Sequence, residues 1–108
     1  MTPNKTVFIT GASRGIGRAI AIRFAAAGYQ LALCCRQNTQ LLEDLQQLII
    51  SQYHTDCLIF TGDTGDYRQL EAMISETIAR FHHIDVLVNN AGISYIGLLT
   101  DMSPDDWQ

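Results

Sequence analysis

The stretch Thr6-Val7-Phe8-Ile9-Thr10-Gly11-Ala12-Ser13-Arg14-Gly15-Ile16-Gly17 decides how this sequence is read. Thr6 to Thr10 is a short apolar run rich in β-branched residues, the composition of a buried strand. From Ile16 onward the apolar positions Ile16, Ile20, Phe24 and Ala27 recur at helical spacing, and Gly28 supplies a C-terminal stop. Strand, glycine turn and helix are therefore consecutive. A helix N-terminus carries free N–H groups and the positive end of the helix dipole, so it attracts a phosphate if the backbone can come close. Gly11, Gly15 and Gly17 remove the side chains that would prevent that approach. Glycines between a strand and a helix can also serve only to make a tight turn, and the rest of the chain bears on the choice.

Downstream the same alternation repeats. Gln30 to Cys35 is apolar at nearly every position, as a parallel strand covered on both faces requires. Leu41, Leu42, Leu45, Leu48 and Ile49 form a helical stripe that Asn38 or Thr39 can cap. Cys57 to Phe60 reads as a third strand. Asp66 followed by Gln69 has the form of a capping box, and Leu70, Met73, Ile74, Thr77, Ile78 and Phe81 give the clearest helical period in the chain. Ile84 to Asn89 reads as a fourth strand. The order β-α-β-α-β-α-β implies right-handed crossovers and an α/β fold, a Rossmann-type parallel sheet with flanking helices that forms half of a doubly wound fold. At 108 residues the expectation is a single domain spanning the whole chain.

Composition narrows the function. The chain is 47% hydrophobic and 17% charged, enough apolar material for a core. A net charge of -4, with Lys5 the only lysine, argues against a nucleic-acid partner. Cys34, Cys35 and Cys57 are an odd number, suited to buried thiols in a reducing cytoplasm, and no apolar run is long enough for a membrane span. His82 and His83 are adjacent and lack partners at metal-ligand spacing, so no metal site is expected.

In dinucleotide sites the residue ending the second strand meets the adenosine ribose, where an acid favours NAD through the 2′-hydroxyl. Here that residue is Arg36. Its fork of donors suits a 2′-phosphate, and Arg14 in the glycine turn is placed to meet the same group, so NADP(H) is expected over NAD(H). Asp63 can accept a hydrogen bond from adenine or merely cap a turn. Asn89, Asn90, Ala91 and Gly92 close the fourth strand, which should lie beside the first, at the switch point where ligands bind in such sheets.

These residues together resemble the short-chain dehydrogenase/reductase family, in the TGxxxGxG-type subgroup that includes 3-oxoacyl-[acyl carrier protein] reductases. The carriers are Thr10 to Gly17, Asp63, and Asn89 to Gly92, in that order, and the match runs from Lys5 onward. The resemblance implies that Gly11, Ser13, Arg14, Gly15, Ile16 and Gly17 surround the phosphates and the adenosine end. It further implies that Asp63 and Thr64 contact adenine and that Asn90, Ala91 and Gly92 line the ribose. One departure is Cys35, where asparagine often precedes the selecting arginine.

In that family a tyrosine protonates the substrate carbonyl as hydride arrives, and a lysine four residues later lowers its pKa. Four residues past Tyr29, Tyr53, Tyr67 and Tyr95 stand Leu33, Cys57, Glu71 and Leu99, so no catalytic residue is assigned. Ser94 and Tyr95 read as substrate-side lining or loop. Ser103-Pro104-Asp105-Asp106 looks like a helix start with little helix behind it, so the chain is expected to be truncated. Its fourth strand would then be an open edge inviting self-association or a homo-oligomer. The expected function is the NADP(H)-binding part of a reductase whose complete protein takes a carbonyl substrate. The competing expectation is a non-catalytic nucleotide-binding or interaction module.

Overall fold

The computed structural model describes residues 4–90 and the backbone of residues 95–98. Ala91, Gly92, the Ser94 side of the following loop and the helix start at Ser103 lie outside the described residues. In chain order the elements are β1 (Thr6–Thr10), α1 (Gly15–Ala26), β2 (Gln30–Cys35), α2 (Thr39–Tyr53), β3 (Cys57–Thr61), α3 (Tyr67–Phe81), β4 (Val86–Asn89) and β5 (Tyr95–Leu98). The sheet order is β3-β2-β1-β4-β5. The β1–β2, β2–β3 and β1–β4 pairings are parallel, with Phe8 opposite Ala32 on one side and Leu87 on the other. β1 is therefore central, and the chain reverses its direction of growth between β1 and β4.

The fourth strand is not an open edge. β5 returns antiparallel along it, with Asn89 opposite Tyr95 and Val86 opposite Leu98, and Val86, Leu87 and Val88 are all buried. A hairpin return satisfies the backbone groups that an unpaired β4 would have left exposed. This removes the premise for self-association through β4. The edge at β3 is partly closed by side chains: Gln46 Nε2 donates to the Cys57 carbonyl at 2.7 Å, and the Cys57 N–H donates to Asp56 Oδ1 at 3.0 Å.

Two apolar layers flank the sheet. Val7, Ile9, Leu31 and Leu33 pack with Ala21, Ala25, Leu42, Leu45 and Ile49 of α1 and α2, and Phe8, Ala32 and Cys34 pack with Met73 and Ile74 of α3. The α3 stripe lies where its periodicity puts it, with Met73, Ile74, Thr77 and Phe81 buried. In α1 the expected stripe is rotated: Gly17, Ala21 and Ala25 face the sheet, while Ile16 is 71% exposed. Small residues let this helix sit close against β1, and the larger Ile20, Ile22 and Phe24 pack at its flanks. α1 ends as expected at Gly28, whose φ of 87° is left-handed. Among the described residues no helix is long and apolar enough to cross a membrane.

The three cysteines are free and buried. Burial, reinforced by Cys35 at Cys34 and by Asp56 at Cys57, pushes both thiols from 9.0 up to about 12. At pH 8 only about one Cys34 or Cys57 thiol in ten thousand is then ionised. Alkylation by iodoacetamide at pH 8 is expected to be at least about 100-fold slower in the native protein than in urea. Equal rates would show that these thiols are open to solvent. Because the unfolded chain gives up these protons near pH 9 and the folded one only near 12, stability falls as pH climbs from 9 toward 12.

Candidate nucleotide-binding site

The sheet's carboxyl end opens into a cleft of about 670 Å³, lined by Gly11, Ser13, Arg14, Arg36, Asp63 and Thr64 among others. That volume falls within the range of small-molecule and cofactor sites. The cleft lies over the ends of β1, β2 and β3, and Asn89 brings in β4.

Its floor is held by a clasp between β1 and β4. Thr10 Oγ1 donates to Asn89 Oδ1 at 2.9 Å and accepts the Asn90 N–H at 2.9 Å. Asn90 Nδ2 donates to the Gly11 carbonyl at 3.2 Å, and the Ala12 N–H donates to the Cys34 carbonyl at 3.1 Å. The turn is thereby fixed to both neighbours of β1. Gly11 and Gly15 have φ of 62° and 64°, the left-handed region that favours glycine. Gly17 does something different: a Cβ there would run into the Gly11 carbonyl oxygen and come within 2.8 Å of Asn90 Nδ2. Gly15 faces open space, with nothing within 4 Å of where its Cβ would stand.

α1 begins within the glycine turn. Arg14 is its N-cap and makes no side-chain cap, and no acid lies in the first turn. α3, by contrast, is capped by Asp66, whose carboxylate accepts the N–H groups of Arg68 and Gln69. The α1 dipole and its first amides are thus available to a phosphate at the glycine turn. At the far side of the cleft Arg36 is 74% exposed and stands 3.9 Å from Asp63 Oδ2. Exposed pairs of this kind contribute about 0–1 kcal/mol, so Arg36 can be recruited by a better anion.

The sequence-derived residues divide by task. Gly11, Ser13, Arg14, Arg36, Asp63 and Thr64 line the cleft, whereas Gly17 and Asn90 shape it from behind. Gly15 and Ile16 are exposed at the start of α1. Sequence reasoning missed Thr10 as the pivot of the clasp, and Gln37, Asn38 and Gly62 in the lining. It also misplaced Gln69, whose Oε1 accepts the Asp63 N–H at 2.8 Å rather than closing a box with the Asp66 N–H. His83 bonds Asp85 at 2.7 Å, and Asp85 accepts the Thr6 N–H, so this pair sits at the opposite end of the sheet.

Residues 5–108 match the model of the short chain dehydrogenase family. The chain belongs to the short-chain dehydrogenases. It is 44% identical over 108 residues to dehydrogenase/reductase SDR family member 7B of Bos taurus, covering 94% of this chain and 33% of that protein. It is 36% identical to the 3-oxoacyl-[acyl-carrier-protein] reductase FabG of Staphylococcus aureus, covering 99% of this chain and 43% of the relative. The chain thus spans less than half the length of these short-chain dehydrogenases. Among solved structures, a blue fluorescent protein from a metagenomic library in complex with NADPH superimposes with a TM-score of 0.78 at 33% identity, covering 97% of this chain and 43% of that one. The Rossmann-type sheet, its flanking helices and the glycine turn are features this chain shares with short-chain dehydrogenases.

Proposed function

We propose that the cleft holds NADP(H), and that the protein carrying this chain transfers hydride between NADPH and a carbonyl compound, a 3-oxoacyl group or a similar small ketone or aldehyde. The observation that carries this reading is the glycine turn at the β1–β4 switch, with an uncapped helix N-terminus and open space before Gly15. The residues present fit a dinucleotide. The amides around Gly11 to Gly17 would hold the diphosphate, Arg14 and Arg36 the 2′-phosphate, Asp63 and Thr64 the adenine, and Asn90 to Gly92 the ribose. Ile16, large, apolar and exposed, offers a surface the bound nucleotide would cover. When bound, the nicotinamide supplies or takes the hydride. This chain's own residues bind and orient it. The buried free thiols support a reducing, cytoplasmic setting.

Calorimetric titration of the purified protein with NADPH and NADH tests the reading. NADPH is expected to bind at least about ten-fold tighter, the value of one good charge-assisted contact. Equal affinities would end the NADP assignment, and binding of neither would end the nucleotide reading.

A further inference from the structure

We infer that Gln69, together with Gly62, is a positioning pair that sets the adenine-side loop of the cleft; the inference rests on the nucleotide reading above. Gln69 lies in the first turn of α3 and its amide spans two acidic residues. Oε1 accepts the Asp63 N–H at 2.8 Å, and Nε2 donates to Asp66 Oδ2 at 3.3 Å. The space it occupies exists because residue 62 is glycine. A Cβ at Gly62 would come within 2.7 Å of both Gln69 Oε1 and Met73 Cε. Gly62 is not among the glycines with positive φ. Its lack of a side chain therefore serves the seat of Gln69 rather than the turn.

The rest of the loop shows what that seat controls. The Gly62 N–H donates to the Cys35 carbonyl at 2.9 Å, tying the loop to the end of β2 beside Arg36. Asp63 Oδ1 accepts the Gly65 N–H at 2.8 Å, and the Asp63 carbonyl accepts the Asp66 N–H at 3.0 Å. With its N–H, carbonyl and Oδ1 engaged, Asp63 has its Oδ2 directed toward Arg36. Asp63 and Thr64 both line the cleft. Gln69, one turn away, thus fixes where an adenosine would meet the protein, and it does so through a backbone amide.

The test uses the intact protein with two probes, adenosine 2′-phosphate and inorganic pyrophosphate. Gln69→Ala is expected to weaken adenosine 2′-phosphate about three- to ten-fold, the share of one hydrogen bond, and to leave pyrophosphate within about two-fold. Gly62→Ala pushes only the flexible ends of Gln69 and Met73, so it should reproduce that loss. The double variant should lose no more than either single one, because both remove the same contact. If wild type binds adenosine 2′-phosphate and Gln69→Ala binds it equally well, the inference falls and the nucleotide reading stands. A loss shared equally by both probes makes Gln69 merely structural and also overturns it. Failure of the wild type to bind either probe overturns both readings.

Discussion

Replacing Gly17 with alanine is expected to destabilise the protein by about 2–3 kcal/mol and to lower its affinity for NADPH by at least about 100-fold. Two effects oppose each other. Alanine is the better helix former, worth about 1 kcal/mol over glycine inside a helix. Against that, its Cβ would run into the Gly11 carbonyl oxygen, which is main chain and cannot rotate away, and into Asn90 Nδ2. Overpacking against backbone sits at the upper end of the usual 1–3 kcal/mol or beyond. It also forces α1 away from the turn just where the Asn90–Gly11 bond holds it, at the proposed seat of a phosphate. The steric cost therefore exceeds the propensity gain. Thermal unfolding and calorimetry on the same preparation check both halves. A Gly17→Ala protein with wild-type melting temperature and NADPH affinity would mean that α1 does not pack on the turn in this way.

Arg36→Asp is the second large effect, and here affinity changes while the fold does not. Arg36 is 74% exposed and its contact to Asp63 is long, so losing it costs at most about 1 kcal/mol of stability. Toward a 2′-phosphate the substitution both removes charge-assisted hydrogen bonds, worth about 1.5–3 kcal/mol, and installs a like charge. NADPH is expected to weaken by about 100-fold or more. The new carboxylate can accept from a 2′-hydroxyl, so NADH is expected to hold its affinity or to gain by up to about ten-fold. The preference then inverts. If Arg36→Asp still prefers NADPH, the 2′-phosphate is read elsewhere, and Arg14 becomes the next residue to replace.

How far the molecule could be read from its residues varies with the range of the interaction. The bounds of β1 and β2 agree with the apolar runs Thr6 to Thr10 and Gln30 to Cys35, because a strand covered on both faces leaves no polar position inside the run. β4 begins at Val86, later than the run starting at Ile84, although Ile84 is buried and the Asp85 N–H bonds the Thr6 carbonyl. β5 was not legible. It contains Gly97 and owes its conformation to pairing with β4 rather than to its own pattern. The α1 face was misread because hydrophobic periodicity weighs large side chains, whereas close packing of a helix on a strand selects Gly17, Ala21 and Ala25. Asp66 and Gln69 have the spelling of a capping box whichever N–H the glutamine takes, and only the fold shows that it takes Asp63's. Within the cleft, the glycine turn and the paired arginines were legible as motifs. The approach of Arg36 to Asp63 was not, since it depends on how the ends of β2 and β3 align.

The clasp between β1 and β4 also bears on the order in which the molecule can be completed. Thr10–Asn89 and Asn90–Gly11 join residues 79 apart along the chain, whereas the Gln30–Thr6 bond beside β2 joins residues only 24 apart. Closing the longer loop costs about 1 kcal/mol more chain entropy. The β1–β2 half of the cleft can thus be assembled while its β4 wall is still unmade, and the glycine turn acquires its final shape only when the distant asparagines arrive. A nucleotide resting on the turn and touching those asparagines would bind the finished arrangement alone, so its binding energy would stabilise contacts that join distant parts of the chain.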